Sequence, residues 1–254
     1  MPADRRPRTA AKRAAEARRV ALAQTAATRR RRGILGGIAA AVAVLTALVV
    51  VFVVQDRRTS TSDRAAVPGN TVADGAAVRV GDAGAPVVIE VYEDYLCPVC
   101  RAFEERNAAT LAELVDSGAA AVEYRPVAIL DRASTDRYST RALNAAAVVA
   151  DAAGPEAFVA FSGLLFAAQP EEGGPGLSDD RLVALAGQAG ATGTRVADGI
   201  RDLAYEDWTR RVTDEASKAG LQGTPTIRVD GEELPLREAT PEGIAAAVSA
   251  AAQG

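Results

Sequence analysis

Histidine is absent from this chain, and cysteine occurs only twice in its 254 residues. Without an imidazole there is no Ser–His or Cys–His nucleophile pair, and a structural zinc site, which normally takes four Cys or His ligands, cannot be assembled from two. Two cysteines also exclude a framework of several disulfides. A single Trp, a single Met and 4% aromatic residues leave the core to be built from Val, Leu, Ile and Ala. Positive charge is scarce beyond residue 54, where 18 basic residues face 31 acidic ones. That net charge of −13 suits neither nucleic acid nor anionic lipid.

The two cysteines stand together as Cys97-Pro98-Val99-Cys100. A pair three residues apart can close into a disulfide within one helical turn, so its oxidation state can be exchanged with another thiol. As a structural crosslink it would remove almost no entropy from the unfolded chain. Thiol-disulfide chemistry is therefore the reading of this motif. The β-branched and aromatic run Val87-Val88-Ile89-Glu90-Val91-Tyr92 leads into it, and apolar residues at helical spacing follow from Pro98 to Asp116. At such a strand-to-helix junction Cys97 becomes the N-cap and Pro98 the first helical residue, where a missing N–H costs nothing. Free N–H groups of Val99 and Cys100 and the helix dipole then favour a thiolate at Cys97. Cys100, one turn inside, is placed to resolve a mixed disulfide.

Residues 33–54 form an uncharged apolar run that as a helix spans about 33 Å, enough for a bilayer core of ~30 Å. Residues 1–32 carry eleven Lys or Arg against Asp4 and Glu16, which by the positive-inside rule keeps this basic tail cytoplasmic. A cleaved signal would have a shorter apolar region followed by small residues, whereas Gln55-Asp56-Arg57-Arg58 follows here, so an uncleaved anchor is expected. Residues 55–76, rich in Asp, Arg, Ser, Thr, Pro and Gly without apolar periodicity, read as a flexible stalk. Residues 77–254 are expected to form one domain.

Within it, Ala120 to Ile129 reads as a second strand, parallel to the first through the intervening helix. From about 138 to 220 the pattern turns helical: Arg141 to Asp151, Pro155 to Ala168, Ser178 to Ala189, Thr194 to Asp202 and Tyr205 to Ala219. Trp208, with Ala204, Val212 and Ala216 at i, i+4 spacing, reads as a core stripe of the last of these. Thr226 to Val229, the turn Asp230-Gly231 and Glu233 to Leu236 form a hairpin, and Thr240-Pro241-Glu242 starts a final helix. The fold class is α/β with a helical insertion. Gly223-Thr224-Pro225-Thr226 opens the hairpin strand; a proline is tolerated there, and its peptide bond can be cis or trans.

Gly81-Asp82-Ala83-Gly84-Ala85-Pro86-Val87, Asp94-Tyr95-Leu96-Cys97-Pro98-Val99-Cys100, Gly223-Thr224-Pro225-Thr226 and Val229-Asp230-Gly231 together resemble the thioredoxin superfamily, specifically the DsbA-like disulfide oxidoreductases. The resemblance covers the domain from about Ala77 and implies a thioredoxin fold with the helical insertion; the tail, the single transmembrane helix expected from the apolar run, and the stalk lie outside it. It implies Cys97 as nucleophile, Cys100 as resolving thiol, and a cis Thr224–Pro225 bond beside Cys97, with the Thr224 backbone pairing an extended client peptide. Two departures matter. Members often carry a proton-managing acid six residues before the first cysteine; that position is Val91, Glu90 has the opposite strand parity, and Asp94 is a candidate substitute or a loop cap. Strong oxidants in the family tend to carry His between the cysteines, where this chain has Val99. The expected function is an extracytoplasmic, membrane-anchored thiol-disulfide oxidoreductase, single-pass with a cytoplasmic N-terminus. It would form disulfides in exported cysteine-containing clients through the redox-active Cys97–Cys100 pair, with no metal or organic cofactor. A membrane reoxidase or reductant is the expected partner. A disulfide reductase, as in cytochrome maturation, and a non-catalytic binding module are the alternatives.

Overall fold

In a computed structural model of the protein, residues 65–253 are described. The expected tail 1–32, anchor 33–54 and first part of the stalk, 55–64, lie outside them. The chain builds β1 (Val78–Val80), β2 (Val88–Glu93), α1 (Pro98–Asp116) and β3 (Ala121–Pro126), then α2 (Tyr138–Ala167), α3 (Asp179–Gln188), α4 (Thr194–Arg201) and α5 (Glu206–Lys218). It closes with β4 (Thr226–Val229), β5 (Glu232–Leu234) and α6 (Pro241–Ala251). The sheet order is β1-β3-β2-β4-β5, with β2 and β3 parallel and the other pairs antiparallel. The α/β core and the helical insertion expected from the sequence are both present.

Strand parity divides the sheet into two unlike faces. Ile89 stands opposite Val122 and Val229, and Val91 opposite Tyr124 and Ile227, so these buried side chains make the apolar face that α1 and α6 cover. The other face carries Glu90, Tyr92, Glu123, Arg125 and Arg228. There Arg125 bridges Glu90 at 2.8 Å and Glu123 at 2.6 Å, Arg79 also pairs with Glu123, and Arg228 stacks over Tyr92. Pairing Glu90 into this ladder confirms that its carboxyl turns away from the cysteines.

The insertion is organised by α2, which is long and apolar enough to cross a membrane yet gives Leu143, Val149, Phe158, Phe161 and Leu165 to the core. The two helices expected on either side of residue 154 are the two halves of α2, divided where Gly154 takes φ 89° and Pro155 follows. Its second half returns to the sheet: Phe158 packs on Tyr124, Phe166 on Tyr95, and the Ser162 and Tyr95 hydroxyls lie 2.8 Å apart.

Two sequence expectations need correction. Ala204 is exposed and precedes α5, so the core stripe begins at Trp208; the turn through Leu203, at φ 54°, is closed by the Asn144 side chain accepting from the Tyr205 N–H. Residues 65–76, assigned to the stalk by composition, pack on the domain as a strap. The Gly69 N–H donates to Asp151 (2.7 Å), the Asn70 side chain to the Ala150 carbonyl (3.0 Å), and the Trp208 indole to the Gly75 carbonyl (2.6 Å). Polar turn residues do this because their backbone and side-chain groups find fixed partners on α2 and α5.

Candidate functional site

Cys97 is the N-cap of α1, with extended backbone (φ −73°, ψ 116°), and Pro98 opens the helix. Its own N–H donates to the Asp94 carbonyl at 2.9 Å, and its carbonyl accepts from Arg101 N–H at 3.2 Å, so the turn is tied on both sides. From the far side of the site comes the Gly223–Pro225 loop, in which the Thr224–Pro225 bond is cis. The Thr224 carbonyl oxygen lies 3.3 Å from the Cys97 sulfur. Cys97, Pro98, Val99, Cys100, Thr224 and Pro225, distant in sequence, thus meet at one corner of the sheet. Val99 points outward and is 47% exposed; Cys100 is wholly buried.

The two thiols are unjoined and differ sharply in acidity. The Cys97 pKa is lowered to about 5, chiefly because the Cys100 thiol donates to its sulfur, aided by the Cys100 N–H, the Thr224 side chain and the Val99 N–H; partial burial opposes them. Burial holds the Cys100 pKa far above the ordinary thiol range, reinforced by the Cys97 sulfur and the charge of Glu93, so this thiol keeps its proton. One sulfur is prepared to attack and the other to give up a proton only when a base is at hand.

Asp94 is not that base. Its buried carboxylate accepts from Leu96 N–H (2.9 Å), Leu130 N–H (2.9 Å) and the Ser139 hydroxyl (2.7 Å), which pins the turn before Cys97 to the loop after β3. Burial raises its pKa to about 6 against those three bonds. Its contribution at the sulfurs is its backbone N–H, directed at Cys100.

A carboxyl pair lies beneath the cysteines instead. Glu93, at the end of β2, and Glu104, one turn beyond Cys100 on α1, are both buried, hydrogen-bond each other, and each keeps one oxygen without a partner. Burial and the neighbouring Glu104 and Cys97 charges hold the Glu93 pKa well above the carboxyl range, and burial raises that of Glu104 to about 7. Near neutrality the pair therefore holds one proton between two oxygens. Glu93 shares the strand parity of Val91, the position at which family members often carry an acid, and that parity is the signal for it in the sequence. Among the described residues no group of His, Cys, Asp and Glu could hold a metal ion.

A family model described as thioredoxin matches residues 73–250. The oxidised DsbA of Mycobacterium tuberculosis is 38% identical and superposes with a TM-score of 0.61, over 70% of this chain and 93% of that one. The reduced disulfide bond oxidoreductase DsbG of the same organism is 36% identical, with a TM-score of 0.58 over 76% and 97%. Among curated sequences, the serine/threonine-protein kinase PknE of M. tuberculosis is 32% identical over 124 residues, 47% of this chain. The match spans only 22% of the kinase's length.

Proposed function

Because the chain belongs to the thioredoxin family and is a DsbA-like protein thiol-disulfide oxidoreductase, we propose that it works outside the cytoplasm, held by residues 33–54, and forms disulfides in exported proteins. The observation that supports this direction is the seat of Cys97 at the N-cap of α1, where the free N–H groups of Val99 and Cys100 face its sulfur and hold its pKa below the ordinary thiol range. Stabilising the thiolate stabilises the reduced enzyme and so makes its disulfide the better oxidant.

In that direction a client thiolate attacks the Cys97 sulfur of the Cys97–Cys100 disulfide, and the electron pair of the broken bond leaves with Cys100. The buried Cys100 thiolate takes the proton held by Glu93 and Glu104. A second client thiolate then attacks the client sulfur of the mixed disulfide, and Cys97 leaves as a thiolate onto the N–H groups of Val99 and Cys100. Thr224 offers its backbone to the extended client beside Pro225, and Pro98 holds Cys97 at the cap. Two electrons have passed to the enzyme, and a membrane reoxidase must remove them; the cysteine pair needs no other cofactor.

Trapping thiols in living cells with acid, then alkylating, tests the direction. A mostly oxidised Cys97–Cys100 pair is expected. A mostly reduced pair would overturn the oxidase reading in favour of a reductase, and a pair that never exchanges with clients would leave a binding module.

Val99 gives the thiolate only its backbone N–H. Val99→His adds a side-chain donor and a partial positive charge at an exposed position, so the variant is expected to have a still more acidic Cys97 and a higher reduction potential. The gain should be roughly 30 mV for each tenfold change in thiolate stabilisation. Equilibration with glutathione buffers, paired with thiolate absorbance, measures both; a lowered pKa without a raised potential would break the link between them.

A further inference from the structure

Gln169 follows the C-terminal end of α2 and belongs to the helical insertion, 72 residues from Cys97. Its side-chain amide nitrogen donates to the carbonyl oxygens of Tyr95 and Cys97, 3.0 Å in each case. One NH2 group has the two hydrogens these bonds require. The Cys97 carbonyl, which also receives the Arg101 N–H, therefore has both lone pairs engaged.

The donor is itself fixed. The Gln169 N–H bonds the Phe166 carbonyl at 3.2 Å, and the Phe166 ring packs on Tyr95. Beyond Gln169 the loop is fastened by the buried Arg141, whose guanidinium donates to the Pro175 and Leu177 carbonyls at 2.7 Å each. The amide is thus carried by packed structure on both sides and aimed at the turn that presents the sulfur. A cap residue has to keep an extended backbone while the next residue is already helical. A donor locked onto its carbonyl holds that geometry, and with it the direction of the side chain.

We propose that Gln169 is a positioning residue for thiol-disulfide exchange: the helical insertion delivers its amide to the carbonyls of Tyr95 and Cys97, and this clamp keeps the Cys97 sulfur over the helix N-terminus and beside Thr224. The proposal rests on Cys97 being the attacking sulfur. Gln169 touches neither sulfur, so its effect is read through the thiolate.

The test uses the full chain carrying Cys100→Ser, in which one thiol remains to titrate, with Gln169→Ala, Gln169→Lys and Gln169→Glu added singly. Gln169→Ala is expected to raise the thiolate absorbance midpoint of Cys97 by about half a pH unit, as expected for losing part of a hydrogen bond's net worth. Gln169→Glu, which faces two carbonyl oxygens with a carboxylate, should raise it further. Gln169→Lys retains a donor and should leave it at or below the parent value. That order, in variants whose circular dichroism matches the parent, supports the clamp. An unchanged midpoint in Gln169→Ala and Gln169→Glu, or a loss of folding stability without the ordered shift, overturns it while leaving Cys97 as nucleophile. A parent without an acidic thiol overturns the reading of Cys97 and this inference with it.

Discussion

Cys100→Ser is expected to accumulate covalent complexes with client proteins, while Cys97→Ser forms none and turnover in both falls to background. In Cys100→Ser the sulfur of Cys97 keeps the N–H groups of Val99 and residue 100 at the helix start, which favour its thiolate, so it attacks an oxidised client readily. The attack ends in a mixed disulfide that only Cys100 is placed to break. Replacing the resolving sulfur by a hydroxyl leaves that bond standing, and non-reducing electrophoresis reads it as bands that collapse on adding dithiothreitol. Cys97→Ser leaves only a buried, strongly protonated thiol, which has neither access nor charge. Complexes trapped by Cys97→Ser and absent from Cys100→Ser would reverse the roles.

Glu93→Gln and Glu104→Gln should show a second large effect, on rate and on stability with opposite signs. A neutral amide cannot give Cys100 a proton or take one, so turnover is expected to fall by roughly 10²-fold, the lower end of general acid–base catalysis. The rate limb with a midpoint near 7 should vanish from the pH profile. For stability, the folded state holds Glu104 protonated up to about 7, whereas the unfolded chain releases that proton near ~4.3. Within that window the folded protein binds more protons than the unfolded one, so its stability falls as pH rises, by about 1.4 kcal/mol per pH unit for one proton. Glu104→Gln removes that slope. The variant should gain on the parent as pH rises through the window, keep the advantage above it, and lose it at pH 4. Denaturant midpoints across that range measure the difference; parallel curves for parent and variant, with an unchanged rate profile, would remove the pair from the mechanism.

What the sequence revealed depended on how local the determining contact was. Cys97 as a cap, Pro98 at the first helical position and the hairpin turn at Asp230-Gly231 are set by neighbours within a few residues, and the structure places them as read. Glu93 is within reach of the sequence, since it shares a face with Val91, but its significance depends on Glu104 arriving from α1 beneath the same cysteine pair. Asp94 was legible as a carboxylate in the right stretch; that three donors from separate segments engage it is a tertiary fact. The Gln169 contact joins residues 72 apart and leaves no pattern in sequence. Composition does not separate the strap from a stalk, because Gly, Asp and Pro suit a linker equally well whether its polar groups bond water or fixed neighbours.

That strap also decides where mechanical load would fall. Tension arriving along the chain at residue 65 meets the Gly69–Asp151 and Asn70–Ala150 bonds first, then the grip of Trp208 and Arg211 on the Gly75 carbonyl, before it reaches β1 at the sheet's edge. These fastenings lie on α2 and α5, and two strands separate β1 from β4 and the Thr224–Pro225 loop that precedes it. Load entering at residue 65 would therefore fall on the domain's flank before it reached the contact between the Cys97 sulfur and Thr224.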